Sequence, residues 1–405
     1  MAKKRRRDLT MEEQLARGPV DLPFLLLVVL LTGVGLIMIF SASYATALYD
    51  KTVAGNDPTY YFIRQTLFAV AGFAAMFVMS KINYQSLRGL SVFALVLAFI
   101  CLLLVFTPLG FGAETAGAQR WIKIGPVNFQ PSELAKLGVV LFFAARLCKR
   151  DTRKPFRLSP RSVLSGPAAF LEKIGAMELV PYLLILVMIA FLMLKEPHMS
   201  GTILVLVAGA AVLFAAGIKL YWFIGGGAAA VAALGFIMTQ TPYMTARIQL
   251  WQDPWSDPRG DGYQTIQSLY AIGSGGLLGL GLGKSRQKFL YLPEPENDFI
   301  FAIVCEELGL VGAIVVLVLF ALLILRGYWI AIHARDRFGS LLVVGFTTLL
   351  AVQVFLNIAV VTNLIPNTGI SLPFFSYGGT ALLLQLFEMG IILSVSRQIP
   401  APKQG

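Results

Sequence analysis

Residues 22–40 read LPFLLLVVLLTGVGLIMIF, a run with no charged side chain. At about 1.5 Å rise per residue such a run spans a hydrocarbon layer of roughly 30 Å. The basic stretch before it, with Ala45-Thr46-Ala47 after it, suggests a signal peptide and a cleavage site. Apolar cores of signal peptides reach only about 7–15 residues, so the longer run reads as an uncleaved first membrane helix. Nine more apolar runs follow, and the ten fall near 21–44, 60–80, 88–107, 132–148, 177–194, 200–218, 220–240, 298–326, 339–361 and 379–396. The expected fold is all-α: a polytopic membrane protein of ten transmembrane helices with a large extracytoplasmic loop between helices 7 and 8. The expected organisation is a basic cytoplasmic tail (1–20), a membrane domain (21–396, with the large loop at 241–297) and a short cytoplasmic tail (397–405).

Composition agrees. The chain of 405 residues is 57% hydrophobic and only 14% charged, more apolar surface than a soluble domain could cover. The net charge of +11 points to cytoplasmic loops facing anionic lipid and not to nucleic acid. Three scattered cysteines and two histidines provide neither a disulfide framework nor a His-rich metal site. Six Lys and Arg lie in the N-terminal tail and eight between Arg146 and Lys173. That excess puts both termini in the cytoplasm and the stretches Gly110–Pro131, Thr241–Asn297 and Thr362–Gly378 outside.

The polar residues of interest collect in those outer stretches. In YLPEPENDFIFAIVCEELG, Tyr291 to Gly309, Asp298 stands where a polar loop hands over to the eighth helix, beside Glu294 and Glu296. An acid at the edge of hydrocarbon is costly unless hydrated, paired or functional. Two readings stay open: a helix N-cap, or a catalytic base at the mouth of a polar cavity. Glu306 and Glu307, about 12 Å deeper, read as buried helix-packing acids. In GAQRWIKIGPVNFQPSELAKLG, Gly117 to Gly138, Arg120, Trp121 and Lys123 precede the fourth helix. Glu133 and Lys136, three apart on that helix, can pair, or Lys136 can meet an anionic substrate group. Trp121 could equally be an interfacial anchor.

In the long loop, Ile266–Ile272 reads as a short amphipathic or re-entrant helix. GLGLGKS mimics a phosphate loop, but Leu278 and Arg286 stand where its glycine patterns need Gly, so nucleotide binding is rejected. Lys284, Arg286 and Lys288 remain as a basic cluster suited to pyrophosphate or anionic lipid. In NTGISLPFFSYGGT, Asn367 to Thr380, prolines and glycines break helix geometry where only protein or a water-filled cavity tolerates it. Ser376 and Gly378 are candidate cavity lining.

These segments together resemble the SEDS family of bacterial cell-wall proteins (shape, elongation, division and sporulation). The resemblance rests on GAQRWI, QPSELAKL, DPRGDGYQTIQSLYAIGSGGLLGLGLGKSRQK, YLPEPENDFIFAIVCEELGLVG and LPFFSYGGT in order, and is closer to the FtsW/SpoVE branch than to RodA. It implies a peptidoglycan glycosyltransferase that polymerises lipid II at the outer face of the cytoplasmic membrane, in the service of cell division by its branch. Its implied partners are a class B penicillin-binding protein and other divisome membrane proteins. By position, the family's essential acid falls on Asp298, its RW pair on Arg120 and Trp121, and its fourth-helix pair on Glu133 and Lys136. Two motifs depart: the usual QPDLGT is EPHMSGT at 196–202, losing its Asp, and the usual HTDF is ENDF at 296–299.

The implied chemistry is inverting attack of an acceptor GlcNAc 4-hydroxyl on the donor MurNAc anomeric carbon, with lipid pyrophosphate leaving. One carboxylate base, Asp298, suffices. The expected substrate-binding residues are Arg120, Trp121, Lys123, Glu133, Lys136, Arg247, Lys288, Glu294, Ser376 and Gly378. A divalent cation, Mg or Mn, is compatible with carboxylates and pyrophosphate, although no ligand set is legible. The alternatives are a lipid II flippase, which needs a polar path across both leaflets, and a non-catalytic scaffold for the penicillin-binding protein.

Overall fold

A computed structural model describes residues 18–51, 53–111, 119–124, 127–150, 176–196, 198–240, 248–260 and 262–399. Most of the basic tail, the segment 151–175 and Arg247 lie outside the described residues. The long helices are α1 (Leu22–Tyr49), α2 (Tyr60–Lys81), α3 (Leu87–Leu104), α4 (Pro131–Leu147), α5 (Ala176–Lys195), α6 (Met199–Ala216) and α7 (Leu220–Gln240). A shorter α8 (Tyr263–Gly275) follows, then α9 (Ile300–His333), α10 (Arg337–Val361) and α11 (Gly379–Ser396). Among the described residues, eight helices are long and apolar enough to cross a membrane. Helix α4 is only 17 residues long and carries Glu133, Lys136 and Arg146. Large apolar side chains such as Leu26, Leu67, Phe93, Val187 and Leu325 stand exposed on the bundle's outside, the arrangement of a protein whose solvent is lipid. The chain is a multi-pass membrane protein.

The bundle has two chemically different ends. At one, Gly18 N–H donates to the Arg397 carbonyl at 2.7 Å, the Arg326 guanidinium grips Asp21 at 2.7 Å, and Arg337 donates to the Arg150 carbonyl at 2.7 Å. Asp21 also caps α1 through Phe24 N–H at 3.0 Å, so one carboxylate closes the first helix and ties it to the far end of α9. At the other end lie the segments 110–111, 119–124 and 127–131, the α5–α6 turn, α8 and the stretch 362–378.

Several local features differ from the sequence expectation. The outer stretch before α4 forms a three-stranded antiparallel sheet, β1 (Gly110–Phe111), β2 (Trp121–Ile124) and β3 (Val127–Phe129), with Ile122 opposite both Gly110 and Phe129. The expected Ile266–Ile272 helix is present and longer, as α8. Helix α9 does not stop near 326 but continues to His333, with a break in helical geometry at Gly309 (φ 68°, ψ −170°). A Cβ there would collide with the backbone of Gly279 and Leu277. The left-handed φ and the close approach both call for glycine.

That break lets the glycine-rich loop 276–290 dock against α9. Glu306 and Glu307 are fully buried and hold the loop by its amides. Glu306 accepts from Arg286 N–H at 2.9 Å and from the Ser285 hydroxyl. Glu307 accepts from Gly283 N–H at 2.9 Å, Ser285 N–H at 3.2 Å and the Ser41 hydroxyl at 2.7 Å. Lys288 pairs with Glu307 at 3.0 Å and donates to the Gly283 carbonyl at 2.7 Å. The two acids are packing residues, as their depth suggested. The loop resembling a phosphate cradle is cradled itself.

Candidate active site

Asp298 is positioned by its backbone before its side chain is considered. Asn357 of α10 donates to the Asp298 carbonyl at 2.8 Å and to the Ile370 carbonyl at 2.6 Å, joining the entry of α9 to the loop 362–378. Ser376 donates to the Asn297 carbonyl at 2.8 Å and accepts from Leu372 N–H at 2.7 Å. Tyr377 N–H donates to the Glu296 carbonyl at 2.8 Å. The irregular LPFFSYGG stretch is thus satisfied by the loop bearing Asp298, the condition under which non-helical backbone persists in a membrane bundle. Gly369, in the left-handed region (φ 68°), brings bare backbone against the acid: a Cβ there would sit 3.2 Å from Asp298 Oδ2.

The N-cap reading of Asp298 does not hold. Helix α9 starts at Ile300, its cap position is Phe299, and no side chain caps it. The half-buried carboxyl faces a cavity of about 360 Å³ instead. Burial raises its pKa to about 6, Glu294 pushes the same way, and Arg120 partly opposes them. Desolvation and a like charge both disfavour the anion, leaving a base that is ionised at neutral pH yet binds a proton more readily than an ordinary aspartate.

The cavity brings together most of the expected site: Arg120, Trp121, Glu133, Lys136, Glu294, Asp298, Ser376 and Gly378 all line it. Lys136 is 2% exposed and pairs with Glu133 at 2.7 Å. Glu294 lies at the rim with φ 46° and accepts from Asn297 Nδ2 at 3.0 Å. Thr380 donates to the Asn128 carbonyl at 3.0 Å, tying the sheet that carries Arg120 and Trp121 to the start of α11.

Two expected binding residues stand elsewhere. Lys288 is buried against Glu307, away from the cavity, because a lysine at that depth needs a counter-charge and finds it in α9. Lys123 points outward, 5.8 Å from the Phe111 ring. Arg247 lies outside the described residues. Glu296, the other acid of the loop, is turned from the cavity toward Thr46, 3.3 Å away, and burial raises its pKa to about 7.

Other lining residues escaped the sequence reading. Glu388, 7% exposed in the middle of α11, faces the cavity near Lys136. A lone acid inside an apolar helix was the available signal. His198 also lines it, where the usual motif carries Asp, with Nε2 3.4 Å from Gln130 Nε2. Burial lowers its pKa to about 3, with Arg120 and Lys136 acting in the same sense. Nearby Glu196 is buried, and its pKa rises to about 8 despite Arg120. Neither could be placed beside Arg120 without the packing of the α5–α6 turn. Among the described residues no group of three or more His, Cys, Asp or Glu is close enough to hold a metal ion.

Fold and cavity define a multi-pass membrane protein with an acid flanked by cations at one end of its bundle. The chain belongs to the FtsW, RodA and SpoVE family: the family model described as "Cell cycle protein" matches residues 22–400. It is 40% identical to stage V sporulation protein E of Bacillus subtilis over 93% of this chain and 97% of that one. It is 39% identical to the probable peptidoglycan glycosyltransferase FtsW of Trichlorobacter lovleyi over 93% of each. A solved chain from work entitled "Structural coordination of polymerization and crosslinking by a peptidoglycan synthase complex" superposes with a TM-score of 0.72 at 27% identity, over 93% of this chain and 98% of that chain. The rod shape determining protein RodA of Thermus thermophilus superposes at 0.65 and 26% identity, over 95% and 98%.

Proposed function

We propose that the chain is a peptidoglycan glycosyltransferase that polymerises lipid II at the outer face of the cytoplasmic membrane, with Asp298 as general base. The observation that carries this reading is the Asp298 carboxyl, half-buried and uninvolved in capping, facing a cavity that also presents Arg120 and Lys136. Asp298 takes the proton from the acceptor GlcNAc 4-hydroxyl as that oxygen attacks the donor MurNAc C1. The C1–oxygen bond to the lipid pyrophosphate breaks on the opposite side, inverting the anomeric centre. Arg120 and Lys136 stabilise the charge on the leaving pyrophosphate. Trp121, Ser376 and Gly378 shape the wall, and Glu294 tunes Asp298. A divalent cation (Mg or Mn), if one binds, would be held on the protein side by Glu294 and would supply positive charge to the leaving pyrophosphate, since no three His, Cys, Asp or Glu cluster among the described residues.

The named relatives and the catalytic cavity at one end favour polymerisation over a flippase. We place both termini in the cytoplasm and the cavity on the outer side, and take a class B penicillin-binding protein of the division machinery as partner. Its support is the source of the structural neighbour, a peptidoglycan synthase complex. The test is gel-resolved polymerisation of lipid II by purified Asp298→Asn together with that partner. Losing a positioned base costs about 10²–10⁴ in rate, so visible polymer should vanish while partner binding stays. Near-parental polymer would defeat the assignment and make Glu294, the other acid at the cavity mouth, the next base to test.

A further inference from the structure

A second cavity, of about 550 Å³, lies at the opposite end of α4. Arg146, at its edge, is 13 residues along that helix from Glu133, or about 20 Å at helical rise. The polymerisation reaction makes no use of it. Its wall is built by Arg88 and Ser91 of α3, Arg146, Lys149 and Arg150 at the end of α4, and Tyr182 of α5.

Arg146 in the last turn of α4 and Lys149 and Arg150 just beyond its end line the same hollow, where like charges repel one another. The negative end of the helix dipole accounts for cations in that last turn. It does not account for Arg88, which enters the same hollow from another helix and whose buried Nε has no hydrogen-bond partner among the described residues. Glu178, 3% exposed, pairs with Arg150 at 3.4 Å and compensates one of the four cations. The hollow thus concentrates positive charge that an anion would neutralise. From its rim an apolar line leads along α3: Val92, Val96 and Ile100, four residues apart and 45%, 49% and 49% exposed. Residues at that spacing lie on one face of the helix.

We propose that this pocket binds the phosphate headgroup of an anionic phospholipid, with an acyl chain lying along Val92, Val96 and Ile100. Basic hollows between membrane helices suit such headgroups, and the apolar line favours a lipid over free phosphate. The site sits in the leaflet facing away from the active cavity and does not depend on the chemistry there.

Native mass spectrometry of the full-length detergent-solubilised protein tests this, using phosphatidylglycerol, phosphatidylethanolamine and inorganic phosphate as probes. The parent should retain phosphatidylglycerol in preference to phosphatidylethanolamine. Arg88→Gln with Lys149→Gln should lower that affinity about tenfold or more, each cation near a membrane being worth roughly 1 kcal/mol. Arg88→Lys should keep most of it. Lys149→Gln alone, at an exposed position, should lower it about fivefold and serves if the double variant does not stay monodisperse. Equal affinity for the two lipids would overturn the proposal. So would full phosphatidylglycerol binding by a folded double or single variant, or displacement of the lipid by equimolar inorganic phosphate.

Discussion

Asp298 combines two demands that conflict in stability terms. Its folded pKa, about 6, lies above the ordinary aspartate value, so above pH 6 the folded protein carries a desolvated anion and is less stable for it. Lowering pH through 6 relieves that cost but protonates the proposed base. Polymerisation should therefore rise with pH through about 6 and level off above it. Glu294→Gln removes one of the two influences that raise the pKa, so the rising limb should move to lower pH in an initial-rate profile. At pH 7.5 the thermal midpoint of Asp298→Asn should equal or exceed the parent's, because the variant removes a partly desolvated charge. Lys136→Met should abolish donor binding measured with lipid II, and it also strands Glu133. In Glu133→Gln/Lys136→Met neither member of the pair is left as a stranded charge, so stability should recover in part while binding does not. Recovery of both would reduce the pair to a structural one.

The elements explain why acids of similar appearance have opposite roles. Glu306 and Glu307 sit a few residues into α9, after Asp298, yet the Gly309 break and the amides of 283–287 make them the anchor of a loop. Breaking a buried ion pair by removing one partner costs about 3–5 kcal/mol. Glu307→Gln should therefore lower the melting temperature clearly, and Glu307→Gln with Lys288→Met should restore part of the loss. Additive losses in that cycle would mean the two side chains are not coupled. The identity of these acids was legible in the sequence, and their depth followed from helical rise. The docking of a distant glycine loop onto them was not, because it depends on backbone amides that any residue supplies. Lys288 was misjudged for the same reason: in the sequence it is one of three basic residues in an outer loop, and its partner is 19 positions away across a turn.

The whole molecule has a chemically asymmetric pair of ends, and the proposed orientation rests on their charge. Reporters fused after residues 115 and 260 should read as extracytoplasmic, and those near 160 and 333 as cytoplasmic. A cytoplasmic signal at 260 would reverse the bundle and put the Asp298 cavity on the wrong side for lipid II polymerisation. The membrane class, most helix positions and the candidacy of Asp298, Arg120 and Lys136 were determined by the sequence alone. Hydrophobic run length, charge bias and motif order are local or additive properties, readable without knowing what packs on what. Only the tertiary structure decided which polar residues share a cavity. Glu388 from α11 and His198 from the α5–α6 turn join Asp298 there, while Lys288, Lys123 and Glu296 turn elsewhere. Burial, pairing and the rejection of the N-cap role depend on contacts between segments far apart in the chain, and those exist only once the helices have packed.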